Sequence, residues 1–202
     1  MRDALFASDD ALFLLHVGSG FRIKGLKSTI ESLPHLLKKG IKAMLLVAGN
    51  DRRGTKNLQR LSSALGVEKN VLFLGGVKDI ERYYAASDIF VVPSLFETFG
   101  VAAIEALSLG LPVIVGRGAG VSYMIEEEKA GKVIDVPADP GKLADMIAET
   151  MREEKRLESS GGMEREKAHR RAVASSCSRE AVSEKFLGII VRHVEGRKPL
   201  YG

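Results

Sequence analysis

The chain alternates short, continuous apolar runs with longer segments in which apolar residues recur at helical spacing. The short runs occupy residues 12–17, 43–48, 71–74, 89–92, 112–115 and 132–136. Most of them are apolar at both odd and even positions, as expected for strands of a parallel sheet that is covered on both faces. We therefore predict that each run is a buried strand.

Helical patterns separate these runs. Within residues 28–38 the recurring residues are Ile30, Leu33, Leu36 and Leu37, and in the next segment they are Leu58, Leu61 and Leu65. Residues 101–109 are rich in alanine, and a further helix starts at residues 139–140, where Asp precedes Pro. Alternating strands and helices predict an α/β fold, a Rossmann-like doubly wound parallel sheet with right-handed crossovers.

The composition changes after about residue 150. Residues 151–171 are dense in charge, and the run SSGG at residues 159–162 interrupts them, which predicts solvated helix and a turn. Residues 179–195 carry an apolar stripe that predicts a final helix packed against this domain or a partner. These segments form a C-terminal helical appendage.

Composition and charge exclude several classes of protein. Apolar residues make up 45% and charged residues 28% of the chain, so a core is possible and general disorder is excluded. The net charge of +4 suits an anionic small molecule or a membrane surface and does not indicate nucleic acid. The single Cys177 excludes an internal disulfide, no apolar run approaches the ~20 residues of a membrane span, and the first residues are acidic, so we expect a cytoplasmic protein.

Glycines follow five of the predicted strands. They stand at residues 18, 49, 75, 100 and 116, within or at the end of the segment after each strand. Ligands of open α/β sheets bind beyond the carboxyl ends of the strands, where glycine allows close approach. The glycines predict a binding crevice at this edge, and ordinary tight turns are the alternative.

The loop after the first strand carries two cations. Gly18 and Gly20 precede Arg22 and Lys24 at a predicted helix start, although neither a Walker A loop nor the dinucleotide fingerprint is present. Two cations beside free helix N–H groups form a good anion site. Solvated loop charges are the alternative.

The segment after the fourth strand carries two glutamates. Glu97 precedes a helix that starts near Gly100, and Glu105 lies within that helix. The N–H groups at the helix start suit a diphosphate, while the two carboxylates can accept hydrogen bonds from sugar hydroxyls. An exposed pair of no significance is the alternative.

Histidine and cysteine add no catalytic signal. His16 lies inside a predicted strand and is interpreted as a core residue, and no zinc-ligand spacing or nucleophile motif occurs.

The run ETFGVAAIEA at residues 97–106 resembles the E-x7-E signature of retaining GT-B glycosyltransferases, which use nucleotide sugars. The order of other motifs is also similar: KG at residues 24–25, V-x-F-x-G-x-V at 71–77, ASD at 86–88 and GLPV at 110–113. The resemblance covers residues 12–150. The run at residues 17–25 looks most like the lipopolysaccharide core glucosyltransferase branch.

The resemblance implies a role for each matching residue. Lys24 and Glu97 are the implied catalytic pair: Lys24 neutralises the leaving diphosphate and Glu97 holds the donor sugar. The implied donor-binding residues are Gly18, Ser19, Arg22, Val77, Phe99, Gly100, Val101 and Glu105, with the chain at Val77 at the base and Glu105 at the ribose. Many relatives have Arg where this chain has Ser19, and Arg22 is the nearby cation able to reach the same phosphate. No metal is required in this scheme.

The resemblance also implies a domain organisation. Residues 12–155 correspond to the C-terminal, donor-binding half of a GT-B fold, residues 1–11 to a residual interdomain linker, and residues 156–202 to C-terminal helices and a tail. The expected partners are a nucleotide sugar, with UDP-glucose first, and an N-terminal acceptor-binding domain in cis or in trans. The expected reaction transfers a hexose to a saccharide or lipopolysaccharide-core acceptor, and the basic stretch at residues 155–171 leaves peripheral membrane association open.

Three alternatives remain at this point. The first is another GT-B enzyme, such as a nucleotide-sugar epimerase. The second is a non-catalytic nucleotide-sugar-binding or interaction module. The third is a glycosidase that uses Glu97 and Glu105 as its acid pair.

Overall fold

The computed structural model of the chain describes residues 11–178 and, beyond them, residues 180, 181, 183, 184 and 187. Apart from residue 11, the predicted linker at residues 1–11 lies outside the described residues. So does most of the predicted final helix at residues 179–195.

Strands and helices alternate along the described chain. The strands are β1 (Leu12–Val17), β2 (Ala43–Ala48), β3 (Val71–Gly75), β4 (Ile89–Val92), β5 (Val113–Gly116) and β6 (Gly131–Ile134). The helices are α1 (Leu26–Lys38), α2 (Arg52–Ala64), α3 (Ile80–Ala86), α4 (Val101–Ser108), α5 (Ser122–Glu127), α6 (Pro140–Ser160) and α7 (Met163–Ser175), with a 3-10 turn at Glu68–Asn70.

All the strands are parallel and form one sheet in the order β3-β2-β1-β4-β5-β6. The predicted doubly wound parallel sheet is therefore confirmed. The central strands are almost wholly buried, whereas β3 is half-buried along its length because it has a neighbour on one side only.

The sheet separates two apolar clusters, because successive side chains of a strand point to opposite faces. On one face, Leu14 packs with Leu33 of α1 and Ile147 of α6. On the other face, Leu15 packs with Tyr84 of α3, and this cluster also contains α4, α5 and α7. Each fully buried Leu or Ile side chain contributes roughly 1.5–3 kcal/mol to folding, so the two clusters hold the helices in place.

The connections from β1 and from β4 leave the sheet on opposite faces. The chain runs from β1 through β2 to the edge at β3 and then returns to β4, which pairs with β1. At this reversal of strand order, a crevice forms beyond the carboxyl ends of β1 and β4. Lys24 follows β1 and Glu97 follows β4, so the topology delivers both to the crevice.

Some element bounds differ from the prediction for identifiable reasons. Strand β6 ends at Ile134 instead of residue 136, because Ile134 pairs with Gly116, the last residue of β5. Helix α1 starts at Leu26, two residues early, where Gly25 turns the chain with a φ of 72°. Helices α3 and α5 were not predicted, because seven and six residues are too few to show a period.

The charge-dense segment forms two helices, as predicted. Helix α6 ends at Ser160, Gly161 adopts a left-handed φ of 74°, and α7 begins at Met163, so the break at residues 159–162 is confirmed. Complete solvation of this segment is wrong at one position. Arg170 is only 5% exposed, because its guanidinium pairs with Glu154 and donates to the Gly110 carbonyl at 3.0 Å. None of the helices in the described ranges is long and apolar enough to cross a bilayer.

Candidate functional site

In the loop after β1, the Lys24 side chain packs against the backbone at Gly18. Gly18 has a φ of 140°, and a Cβ placed there would lie 3.1 Å from Lys24 Cε. A Cβ added at Gly25 would lie 2.2 Å from the Pro93 carbonyl oxygen, so only glycine allows this loop to contact the loop after β4. The contact is fixed by a 2.8 Å hydrogen bond from the Leu95 N–H to the Ile23 carbonyl.

The loop that carries Glu97 is joined to the loop after β5. Glu97 forms a parallel bridge with Ala119, in which its N–H donates to Gly118 at 3.0 Å and its carbonyl accepts from Gly120 at 3.1 Å. A Cβ at Gly118 or Gly120 would lie within 2.3 Å of a backbone carbonyl oxygen of the neighbouring loop. Glycine at both positions therefore holds the Glu97 backbone between two fixed segments.

Lys24 and Glu97 form an ion pair across the crevice. Lys24 Nζ contacts Glu97 Oε2, and the two side chains are 21% and 22% exposed. Burial lowers the pKa of Lys24 from its ordinary value. Both residues line a cavity of about 20 Å³ together with Gly100 and Ala103. The structure thus brings the two predicted catalytic residues to the start of α4.

Helix α4 begins with open amides at this point. Gly100 has a φ of 110°, and a Cβ there would lie 2.8 Å from Val121 Cγ1. Within the described chain, no side chain caps this end of the helix. The first N–H groups of a helix lack intrahelical acceptors, so those of Val101 and Ala102 can bind an oxyanion. Val101 and Phe99 are 61% and 41% exposed.

Glu105 lies farther along α4 and faces α3. Its Oε2 accepts a 2.8 Å hydrogen bond from the Tyr84 hydroxyl, which also lies 3.1 Å from the Ala102 carbonyl oxygen. Tyr84 is 2% exposed, and its pKa is raised by burial and by the neighbouring carboxylate, so the hydroxyl remains a donor. The separate partners of Glu97 and Glu105 do not favour the glycosidase alternative, which needs both acids at one bond.

The remaining predicted residues are spread along the same edge of the sheet. The Ser19 hydroxyl accepts from the Asn50 N–H at 3.2 Å, and Val77 is half-buried between β3 and α3. Arg22 is exposed and forms no ion pair within the described part of the chain. The structure therefore groups Gly18, Lys24, Glu97 and Gly100 and leaves Arg22 outside that group.

Sequence reasoning missed two residues that shape the site. Asp51 Oδ2 accepts from the Phe21 N–H at 3.2 Å, and its Oδ1 accepts from the Gly54 N–H at 2.9 Å. This aspartate fixes the β1 loop to the start of α2, and its position directly before a helical segment was the available signal. Tyr84 gave no signal, because its contact with Glu105 joins residues 21 positions apart.

Two larger cavities flank the ion pair along the carboxyl edge. One, of about 600 Å³, is lined by Asn50, Asp51 and Phe73 at the ends of β2 and β3. The other, of about 550 Å³, is lined by Phe96, Arg117 and Tyr123 near the end of β5. A further cavity of about 600 Å³ lies at the opposite edge, near the start of β1 and β4. The carboxyl edge is the one where the predicted binding residues lie.

Known proteins match this chain in sequence and in fold. The family model described as Glycosyl transferases group 1 matches residues 1–167. The uncharacterized glycosyltransferase MJ1607 of Methanocaldococcus jannaschii is 31% identical over 145 residues, which are 71% of this chain and 36% of that protein. The lipopolysaccharide glucosyltransferase WaaG of Escherichia coli is 33% identical over 141 residues, which are 68% of this chain and 37% of that protein.

A solved structure extends the match beyond sequence. The crystal structure of WaaG, a glycosyltransferase involved in lipopolysaccharide biosynthesis, aligns with a TM-score of 0.72 and 28% identity over 91% of this chain and 48% of that chain. The chain thus spans between a third and a half of the length of these relatives. Because the family match extends over most of the chain, the chain belongs to the group 1 glycosyl transferases.

Proposed function

We propose that the chain is the donor-binding part of a retaining glycosyltransferase and binds a nucleotide-diphosphate sugar at the carboxyl edge of its sheet. The observation that carries the proposal is the convergence of Lys24 and Glu97 at the open start of α4. A cation, a carboxylate and free amides at one point match a diphosphate joined to a polyhydroxylated sugar.

The ion pair explains how the site handles charge. When the bond from the sugar to the diphosphate breaks, negative charge grows on the leaving phosphate oxygen. Lys24 then leaves its ion pair with Glu97 and pairs with that oxygen, and the amides at the start of α4 donate hydrogen bonds to the phosphate. Glu97, released from Lys24, accepts hydrogen bonds from the sugar hydroxyls. In this scheme the protein's own groups stabilise the leaving group, and no metal is needed.

The rest of the donor extends along the edge. We assign the ribose to Glu105 and the base to the chain at Val77, next to the cavity at the ends of β2 and β3. UDP-glucose, which the family resemblance implies, is the first donor to test, and the name of WaaG, a glucosyltransferase at 33% identity, supports glucose as the sugar. The same relative makes a lipopolysaccharide-core saccharide the first acceptor to test.

An acceptor-binding domain, in cis or in trans, completes the proposed enzyme. Among the described residues, six exposed large apolar side chains lie on the loops at the carboxyl edge or at the start of the helix that follows: Ile23, Leu95, Phe96, Phe99, Val101 and Tyr123. Exposed apolar patches are typical of interaction surfaces. In this proposal, transfer requires both parts, whereas donor binding requires this chain alone.

Calorimetric titration of the chain with UDP, GDP and ADP tests the proposal. We expect one nucleotide to bind, and Lys24→Ala and Glu105→Ala each to weaken its binding by roughly 1–3 kcal/mol, the value for hydrogen bonds to charged groups. Lys27→Ala is the matched control, because Lys27 pairs with Glu31 on the surface of α1. Equal affinities of all four proteins would refute the assignment.

A further inference from the structure

Tyr84 is anchored in the core and reaches α4 only with its hydroxyl. The side chain is 2% exposed, and its ring stacks on Phe90 of β4 with centroids 6.0 Å apart. The hydroxyl emerges beside α4 and lies 2.8 Å from Glu105 Oε2 and 3.1 Å from the Ala102 carbonyl oxygen. The ring therefore packs in the core, while the hydroxyl lies within hydrogen-bond distance of one carboxylate and one backbone carbonyl, with the shorter distance to the carboxylate.

Glu105 would be loosely held without this contact. It is an exposed residue of a helix, and exposed glutamate side chains move among several rotamers. Fixing such a side chain requires a loss of conformational entropy. Tyr84 holds Oε2, and within the described residues the other oxygen, Oε1, accepts no hydrogen bond, so one oxygen of this exposed carboxylate can still accept one.

We propose that the Tyr84 hydroxyl is a positioning group that holds the Glu105 carboxylate ready for the ribose diol of the donor nucleotide. The inference rests on the proposed role of Glu105 at the ribose. A donor at Oε2 stops the carboxylate from turning away, and a prearranged acceptor loses less entropy when the ligand binds. Burial keeps this hydroxyl protonated, because it raises the pKa of Tyr84.

Tyr84→Phe isolates the hydroxyl, since the ring and its packing are kept. Tyr83→Phe is the matched control: the residue is adjacent, the change is the same, and within the described residues its hydroxyl makes no hydrogen bond. The chain and its variants are titrated with UDP, GDP and ADP and with the 2′,3′-dideoxy form of each. We expect Tyr84→Phe to weaken binding of the ribonucleotide about two- to tenfold and to leave binding of the dideoxynucleotide unchanged.

Nucleotide affinities of a double variant provide a second test of the same contact. In a Glu105→Ala background the carboxylate is gone, so adding Tyr84→Phe should change the affinity no further. Equal weakening for the ribo- and dideoxynucleotide, or no weakening for either, overturns the inference. If Glu105→Ala weakens ribonucleotide binding while Tyr84→Phe does not, the proposed function stands and only the positioning role is lost. If no nucleotide binds, or if Glu105→Ala has no effect, the assignment of Glu105 to the ribose is refuted, and the inference about Tyr84 is overturned with it.

Discussion

We expect the buried His16 to make the stability of this domain depend on pH. The side chain lies in β1 and is fully buried, with Nδ1 3.0 Å from the Val91 carbonyl oxygen. Because a carbonyl only accepts, Nδ1 carries the hydrogen, and Nε2 is unprotonated. Within the described chain, Nε2 has no hydrogen-bond partner. Protonation would place an unpaired charge in the core.

The size of the effect follows from the pKa of His16. Burial, aided by the charge of Lys24 and opposed by the hydrogen bond to Val91, lowers this pKa from 6.5 to about 3. Between these values the unfolded chain binds a proton that the folded chain does not, so folded stability falls as pH falls below 6.5. At about 1.4 kcal/mol per pH unit, lowering the pH from 7 to 5 removes about 2 kcal/mol from the free energy of unfolding.

Urea unfolding at pH 7, 6 and 5 measures this loss. His16→Gln retains a donor for Val91 and does not titrate in this range, so its free energy of unfolding should fall by about 2 kcal/mol less than that of the parent chain between pH 7 and 5. His35→Gln, the same change at an exposed position of α1, should behave like the parent chain. If the His16 variant and the parent chain lose equal stability, the buried neutral histidine is not the cause and the reasoning fails.

Two further predictions concern the stability of the fold. Gly100→Ala introduces a Cβ 2.8 Å from Val121 Cγ1 at a φ of 110°. We expect this strain to lower the free energy of unfolding by about 1–3 kcal/mol in a urea titration. Unchanged stability would contradict the strain. Arg170→Met leaves the Glu154 carboxylate without its partner. In the same urea titration, this variant should lose about 3–5 kcal/mol of the free energy of unfolding. Adding Glu154→Leu removes the unpaired carboxylate and should restore part of the loss. An equal loss in the single and the double variant would show that the unpaired carboxylate is not the cause.

The sheet could be predicted because its central strands are buried on both faces. A run such as residues 43–48 is apolar at every position, and all of its residues are buried. Lys24 and Glu97 each follow a predicted strand, so their sequence positions already pointed to the carboxyl edge of the sheet. The strand order, which places the end of β1 beside the end of β4, is known only from the structure. The resemblance of residues 12–150 to glycosyltransferases also pointed to the correct family, because the family model for group 1 glycosyl transferases matches residues 1–167.

Contacts that neither a motif nor a strand end marks could not be predicted. The burial of Arg170 depends on Glu154 and on the Gly110 carbonyl, which lies 60 positions earlier in the chain. The bridge between Glu97 and Ala119 is a backbone contact and carries no side-chain pattern. Such features depend on how distant segments meet in the folded structure, and composition and periodicity do not record this.

The meeting of three loops around Glu97 limits how this domain can change during evolution. The Leu95 amide bonds to the loop after β1, and Glu97 bonds on both sides to the loop after β5. An inserted or deleted residue in any of these loops would shift the other two, so length variation there should be selected against. Variation would then be confined to the exchange of single side chains on a constant backbone, at exposed positions such as Phe96 and Tyr123.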